Sequence, residues 1–303
     1  VAGGQERVLR RRIRSVQSTK KITKAMELIA ASQIVRSLTR MNANRPFQTG
    51  MARLVVEAAA GDPAAAEKLL GEPAERKNVS IVCLVADRGL SGPYNSSVLR
   101  ATERLIAELA RDQIGVTLYT VGKKAQSYFR FRGVEIERSF IGVTGRPEFA
   151  DARAIAADVA APFVAGDVDQ VILVSTRYHS AGSQIVEVRQ LLPLMAPKSD
   201  EDESATTQHS ESQGYTEFEP EVATLLEELA PKAVESEIFT ALLEGAAAFF
   251  TAQQRAMAAA SDNADELIRN LTRIMNRARQ DAITTEIMEI VGGAEALRQS
   301  KGA

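Results

Sequence analysis

Residues 18–32, STKKITKAMELIAAS, place three lysines and several small hydroxyl side chains beside Met26, Leu28 and Ile29, with no glycine or proline between them. A basic amphipathic helix of this kind suits three roles: an arm on nucleic acid, a helix lying on a membrane surface, or one strand of a helical rod with a charged partner. The flanking sequence favours the rod. Neither glycine nor proline occurs between Gly4 and Arg45, and Pro46 is the first proline of the chain. Apolar residues recur as Leu9, Ile13, Val16, then Ile22, Met26, Ile29, then Ile34, Leu38, Met41. Each triplet steps by four and then three, the spacing of a coiled-coil seam. A helix from about Gly4 to Val56 would reach roughly 80 Å, too long to pack on one globular core.

The carboxyl end mirrors it. Chain re-enters helix at Pro220, no proline follows Pro231, and Gly245 is the sole glycine before Gly292. Ala260, Ala264, Leu267, Leu271, Ile274 and Ala278 alternate steps of four and three, and Ile287, Val291, Ala294 and Leu297 continue an apolar stripe. A helix from about Lys232 to Arg298 would extend roughly 100 Å. The two seams satisfy each other most simply as an antiparallel coiled coil; two helices of a larger bundle are the alternative.

The middle has another period. Val79–Ala86 (VSIVCLVA) is an apolar, β-branched run suited to a buried strand, and Val168–Ser175 (VDQVILVS) reads as a second buried strand. Val116–Val121, Val134–Phe140 and Gln184–Leu192 are further strand candidates, with helices expected at Ser96–Arg111, Lys123–Phe131 and Phe149–Val164. This alternation predicts a Rossmann-like α/β domain with a mainly parallel sheet. From Lys198 to Glu221 the chain holds eight acidic residues against one lysine and is rich in Ser and Thr, which reads as a solvated loop. The expected divisions are residues 1–57, an amino-terminal coiled-coil helix; 77–195, the α/β domain; 196–219, the acidic loop; and 220–303, the carboxyl-terminal coiled-coil helix.

Bulk properties narrow the function. The 303 residues are 45% hydrophobic and 25% charged with a net charge of −2, a globular profile that argues against a general nucleic-acid binder. The single Cys83 and the two histidines, His179 and His209, leave no cysteine cluster or His-rich metal site, and no cofactor is expected. No apolar run suffices to cross a bilayer, and the basic start lacks the apolar core of a secretory signal, so a cytoplasmic setting is expected. The search for catalysis centres on ADRGLSGPYN (86–95), after the first strand. Asp87 is a candidate general base, Arg88 an anion clamp, and Ser91 either a nucleophile or, as we favour, a helix N-cap. Pro93 stands where a nucleophile elbow needs glycine, and Walker, GxGxxG and HExxH motifs are absent. His179 has no partner at a defined spacing. Eight Lys or Arg and no acid lie between Arg7 and Lys24, without aromatic residues for base stacking. A hydrolase using Asp87, Ser91 or His179, and a basic-helix nucleic-acid binder, remain the alternatives.

Three blocks resemble the γ subunit of F-type ATP synthases of the bacterial type: RRRIRSVQSTKKITKAMELIAAS (10–32), ADRGLSGPYN (86–95) and SDNADELIRNLTRIMNRARQDAITTEIMEIVGGAEAL (261–297). Their order and spacing also match. The resemblance implies a non-catalytic central rotor shaft inside a hexamer of alternating alpha and beta subunits. The α/β domain would form its foot, beside epsilon and the c ring, on the cytoplasmic face of the bacterial membrane. Proton flow through the ring would turn the shaft, and the beta subunits would make ATP. By motif, Met26 faces an acidic beta segment, flanked by Lys20, Lys21 and Lys24. Arg279 and Gln280 meet a beta loop, with Thr284 and Glu286 nearby, and Ile287, Val291 and Leu297 belong to the shaft tip. Asp281 replaces a small residue of the family pattern beside Arg279. Tyr215, Phe218 and Glu219 resemble a segment that meets the c ring, and Asp87 and Arg88 belong to a turn near epsilon.

Overall fold

The computed structural model describes residues 2–61, 76–194 and 222–301. The elements in chain order are α1 (Ala2–Gly61), β1 (Asn78–Leu84), α2 (Tyr94–Arg111), β2 (Gly115–Val121), α3 (Lys123–Phe131), β3 (Arg138–Phe140), α4 (Phe149–Ala165), β4 (Gln170–Tyr178), β5 (Gln184–Leu192) and α5 (Val222–Lys301). Two compact units divide them: residues 1–30 with 254–303, and residues 31–253.

The larger unit is built on a five-stranded sheet of order β3-β2-β1-β4-β5. The first four strands are parallel, and β5 returns antiparallel to β4. Central β1 is covered on both faces, which explains an apolar run interrupted only by Ser80. Its odd-numbered residues Val79, Ile81, Cys83 and Val85 pack with Val98 and Leu99 of α2 and Ala125 and Phe129 of α3. Val82 and Leu84 point the other way, toward Ile155 and Val159 of α4 and Val234, Ile238 and Leu242 of α5. Phe129 is fully buried, and a side chain of that size contributes about 2–3 kcal/mol by leaving water. The expected strand at Val134–Phe140 shortens to Arg138–Phe140, because Val134 and Ile136 pack against the α2–α3 layer instead of extending the ladder.

Helix α5 begins at Val222, close to the re-entry expected at Pro220, and runs unbroken through Pro231 into the long stretch expected from Lys232. Likewise α1 runs through Pro46. Both prolines are exposed, so the carbonyl each leaves without its amide partner can be hydrated, and the helix continues. Gly245 has a packing reason. A Cβ there would come within 3.1 Å of Leu84 and 3.2 Å of the Tyr94 hydroxyl, which donates to the Gly245 carbonyl at 3.0 Å.

In the smaller unit the ends of α1 and α5 run antiparallel: Lys20 pairs with Asp265 and Thr23 with Ser261. On α1 the positions Leu9, Ile13, Val16, Lys20, Thr23, Glu27 and Ala30 are buried or half-buried and form an unbroken alternation of four and three, with Met26 half-buried beside them. The expected triplet Ile22, Met26, Ile29 is therefore one residue out of register, and Ile22 and Ile29 are exposed. On α5 the inward positions are Met257, Ser261, Ala264, Ile268, Leu271, Met275 and Ala278. Ala264, Leu271 and Ala278 stand as expected, whereas Leu267 and Ile274 yield to Ile268 and Met275. The seam mixes large apolar residues such as Leu9, Ile13, Ile268, Leu271 and Met275 with Thr23, Ala30, Ser261 and Ala264, while further aliphatics, Ile22, Leu28 and Ile29 among them, stay outside it.

Candidate partner-binding surface

The loop after β1 is a brace. Asp87 accepts hydrogen bonds from the backbone N–H of Lys123 (2.9 Å), Gly142 (3.0 Å) and Thr144 (3.3 Å) and from the Thr144 hydroxyl (2.7 Å). Partial burial opposes its charged form, yet these four donors hold the carboxyl below its ordinary range. A carboxylate so engaged ties the start of α3 to residues 142–144 and is a poor general base. The Asn95 side chain closes the loop, accepting from the Ala86 N–H at 2.9 Å and donating to the Arg88 carbonyl at 3.0 Å. Ser91 is buried but makes no side-chain cap; α2 starts at Pro93–Tyr94 without one. The expected Ser91 N-cap is therefore not formed, and the helix begins without a side-chain cap. His179 is exposed in the β4–β5 turn, and among the described residues no hydrogen bond joins it to Asp87 or Ser91. Burial pushes the Cys83 thiol up to about 12, far from a reactive thiolate. Among the described residues no group of three or more His, Cys, Asp or Glu could hold a metal ion.

What the described surface does offer is the outside of the smaller unit. Ile22, Leu28 and Ile29 are 60%, 62% and 60% exposed. Ile22, half-buried Met26 and Ile29 form a stripe of their own, about 100° around the helix from the seam. The lysines divide on inspection. Lys20 is bound to Asp265 at 2.6 Å, and Lys24 to Glu27 at 3.0 Å, while Lys21 makes no ion pair among the described residues. Lys21 alone of the three is without an ion pair among the described residues, while Lys20 reaches across the seam and Lys24 to its i,i+3 neighbour.

On α5, Arg279, Gln280, Thr284, Glu286, Ile287 and Val291 are all exposed. Asp281 forms no ion pair with Arg279 among the described residues, since side chains two apart on a helix do not face each other. Residues 283–294 are exposed on every face, and Met288 and Ile290 reach 68% and 71%. Leu297 lies in α5 beyond the side chains that are described, and Tyr215, Phe218 and Glu219 lie outside the described residues. Arg269, Arg273 and Arg277, not singled out from the sequence, line one shallow groove with Ile268, Thr272, Asn276 and Gln280. Their spacing of four was the available signal. Like charges so placed repel along a helix, which an acidic partner would relieve.

The ATP synthase family profile matches residues 5–297. A chain from Frankia casuarinae, described as an ATP synthase gamma chain, is 44% identical over 298 residues, covering 97% of this chain and 98% of the relative. The chain belongs to the ATP synthase gamma family. Another gamma chain, from Kineococcus radiotolerans, is 43% identical over 301 residues and covers 98% of both. Among solved structures, a chain of the Euglena gracilis mitochondrial ATP synthase has a TM-score of 0.66 at 17% identity, covering 99% of this chain and 97% of that one. A chain of the Tetrahymena thermophila central stalk and c ring has a TM-score of 0.59 at 23% identity, covering 79% and 99%. These two establish the shared fold: long terminal helices around a mainly parallel α/β sheet. Membership in the gamma family makes the chain a non-catalytic subunit of ATP synthase, consistent with a loop after β1 that serves as a brace.

Proposed function

We propose that the chain is the central-stalk rotor subunit of an F1Fo ATP synthase, coupling proton flow through a c ring to ATP synthesis on an alpha–beta hexamer. One observation carries this reading: beside the apolar residues its seam takes up, the two-helix unit leaves a second set of large aliphatics, Ile22, Leu28, Ile29, Ile287 and Ile290, exposed. A rod with more large aliphatics than its own seam takes up presents the remainder to surrounding subunits. Its faces also differ chemically. Lys21 and the Ile22–Met26–Ile29 stripe mark one, Arg269, Arg273 and Arg277 mark another, and residues 283–294 form an apolar end. Each beta subunit would meet a different face at each angle, so rotation would bias its conformational equilibrium.

Arg279, Gln280, Thr284 and Glu286 then belong to the beta-facing surface, and Ile287, Val291 and Leu297 to an end turning in an apolar collar. There, dispersion without directional bonds resists sliding little. The α/β domain serves as the foot, with exposed Arg88 toward epsilon and the segment containing Tyr215, Phe218 and Glu219 toward the c ring. The complex would lie peripherally on the cytoplasmic face of a bacterial membrane; no described helix is long and apolar enough to cross one. Mixing the purified chain with alpha and beta subunits is expected to produce an ATP-hydrolysing assembly containing all three. Equal assembly and hydrolysis without the chain would overturn the proposal.

A further inference from the structure

A groove of 670 Å³ lies between α2 and α3 on the side of the sheet opposite α4 and α5. Its floor is Ile106, Ala107, Ala110, Phe129 and Val134, and its charged rim is Arg100, Glu103, Arg104 and Arg132. The rim is unbalanced. Glu103 is taken by Arg132 at 2.8 Å and by the Tyr128 phenol, so it neutralises neither Arg100 nor Arg104. Those two guanidiniums are exposed, sit one turn apart on α2, and make no ion pair among the described residues. Glu103 is the one carboxylate among the groove's lining residues, so guanidiniums outnumber it there. Ala107 and Ala110 continue the same face and are exposed; their small side chains let a second backbone approach closely.

We propose that this groove docks an acidic amphipathic helix of a separate polypeptide, with aliphatic side chains on the Ala107–Ala110–Phe129 floor and carboxylates against Arg100 and Arg104. Charge complementarity selects an acidic occupant, and the floor requires aliphatic residues at helical spacing. The acidic stretch 198–221 of this chain does not meet the second requirement, because Ala205, Tyr215 and Phe218 are its apolar residues. The site is distinct from the shaft surface and from the Asp87–Arg88 loop.

The test places a photo-activated crosslinking residue at Ala107 in the tagged full-length chain, illuminates cells and identifies the joined peptide by mass spectrometry. The readout does not depend on the rotor assignment, because it reports the occupant whatever assembly contains the chain. The expected result is one acidic, helix-periodic peptide of another polypeptide. Its yield should fall about tenfold in Arg100→Glu/Arg104→Glu, a change confined to exposed side chains. Thermal unfolding of that variant should match the parent. Crosslinks to residues 198–221, to a second copy of this chain, to lipid or to nothing would overturn the proposal, as would a yield indifferent to charge reversal.

Discussion

Thr23 and Ser261 meet hydroxyl to hydroxyl at 2.7 Å across the two-helix seam, both buried. Each also lies within bonding distance of a carbonyl of its own helix, Thr23 of Lys20 at 3.0 Å and Ser261 of Met257 at 2.9 Å. With one proton apiece, they can make the cross-helix bond only if one hydroxyl turns away from its carbonyl. The pair therefore fixes the register of α1 on α5 at a position where aliphatic residues would tolerate sliding.

Ser261→Ala should cost about 1 kcal/mol, the usual net worth of such a bond. Thr23→Val combined with Ser261→Ala should cost less than the sum of the singles, since no buried hydroxyl is left unmatched. Urea unfolding of the four proteins in a double-mutant cycle measures the coupling. Strict additivity would show that the hydroxyls do not bond.

Met26→Lys adds a cation to the Ile22–Met26–Ile29 stripe, the surface proposed to meet the beta subunits. Against an acidic partner it should overstabilise one angular position and lower proton pumping per ATP hydrolysed. The check is acidification of inverted vesicles alongside hydrolysis measured on the same preparation. Lys21→Glu should act oppositely on the contact, by weakening it. Unchanged pumping per ATP in Met26→Lys would remove this residue from the coupling surface.

Gly122 precedes α3 with φ +97°, and a Cβ there would lie 2.1 Å from the Val85 carbonyl oxygen. Its N–H also donates to the Phe140 carbonyl at 2.7 Å, joining β2 to β3. Gly122→Ala combines backbone strain with a clash against the central strand and should cost more than about 3 kcal/mol, or prevent folding. Gly133 has φ +70° but open space around it, so Gly133→Ala should cost only about 1 kcal/mol. Thermal melts of the two variants separate clash from conformation.

Glu244 on α5 faces Arg177 of β4, Glu187 and Arg189 of β5, and Glu237 of its own helix. Burial outweighs the two arginines and raises its carboxyl from 4.5 to about 7, and Oε2 has no hydrogen-bond partner. Arg189 is meanwhile engaged by Glu187 and Glu237, both at 3.3 Å. Because the folded chain holds this proton more tightly than the unfolded chain, the stabilisation is complete below about 4.5 and is lost as pH rises toward 7. The loss amounts to about 3 kcal/mol, from 1.36 kcal/mol per pH unit. Glu244→Gln should remove that part of the pH dependence and be more stable than the parent above pH 7. Denaturant titrations across that range decide it.

Much of the α/β unit can be read from residue order. Val79–Ala86 is apolar at every position but Ser80 because β1 is buried on both faces, and Phe149–Val164 shows its helical period. The shaft was harder, for a physical reason. Leu267 stands beside Ile268, and Ile274 beside Met275, so a four-three alternation through Ala264, Leu271 and Ala278 can be drawn either way. Hydrophobicity cannot say which aliphatic meets the chain's own second helix and which awaits another protein. The same ambiguity put Ile22 and Ile29 in the seam in place of Thr23 and Ala30. Asn95 escaped notice as the residue closing the β1 loop, because its partners, Ala86 and Arg88, become neighbours only when the turn folds.

The bare aliphatic end of α5 bears on supply as well as on contact. A chain displaying Ile283, Ile287, Met288, Ile290 and Val291 to water is safe only while something covers them. Copies made in excess of their sheath are candidates for self-association. A cell that makes this subunit therefore benefits from matching its output to that of the covering proteins, and purification on its own should call for low concentration or co-expression.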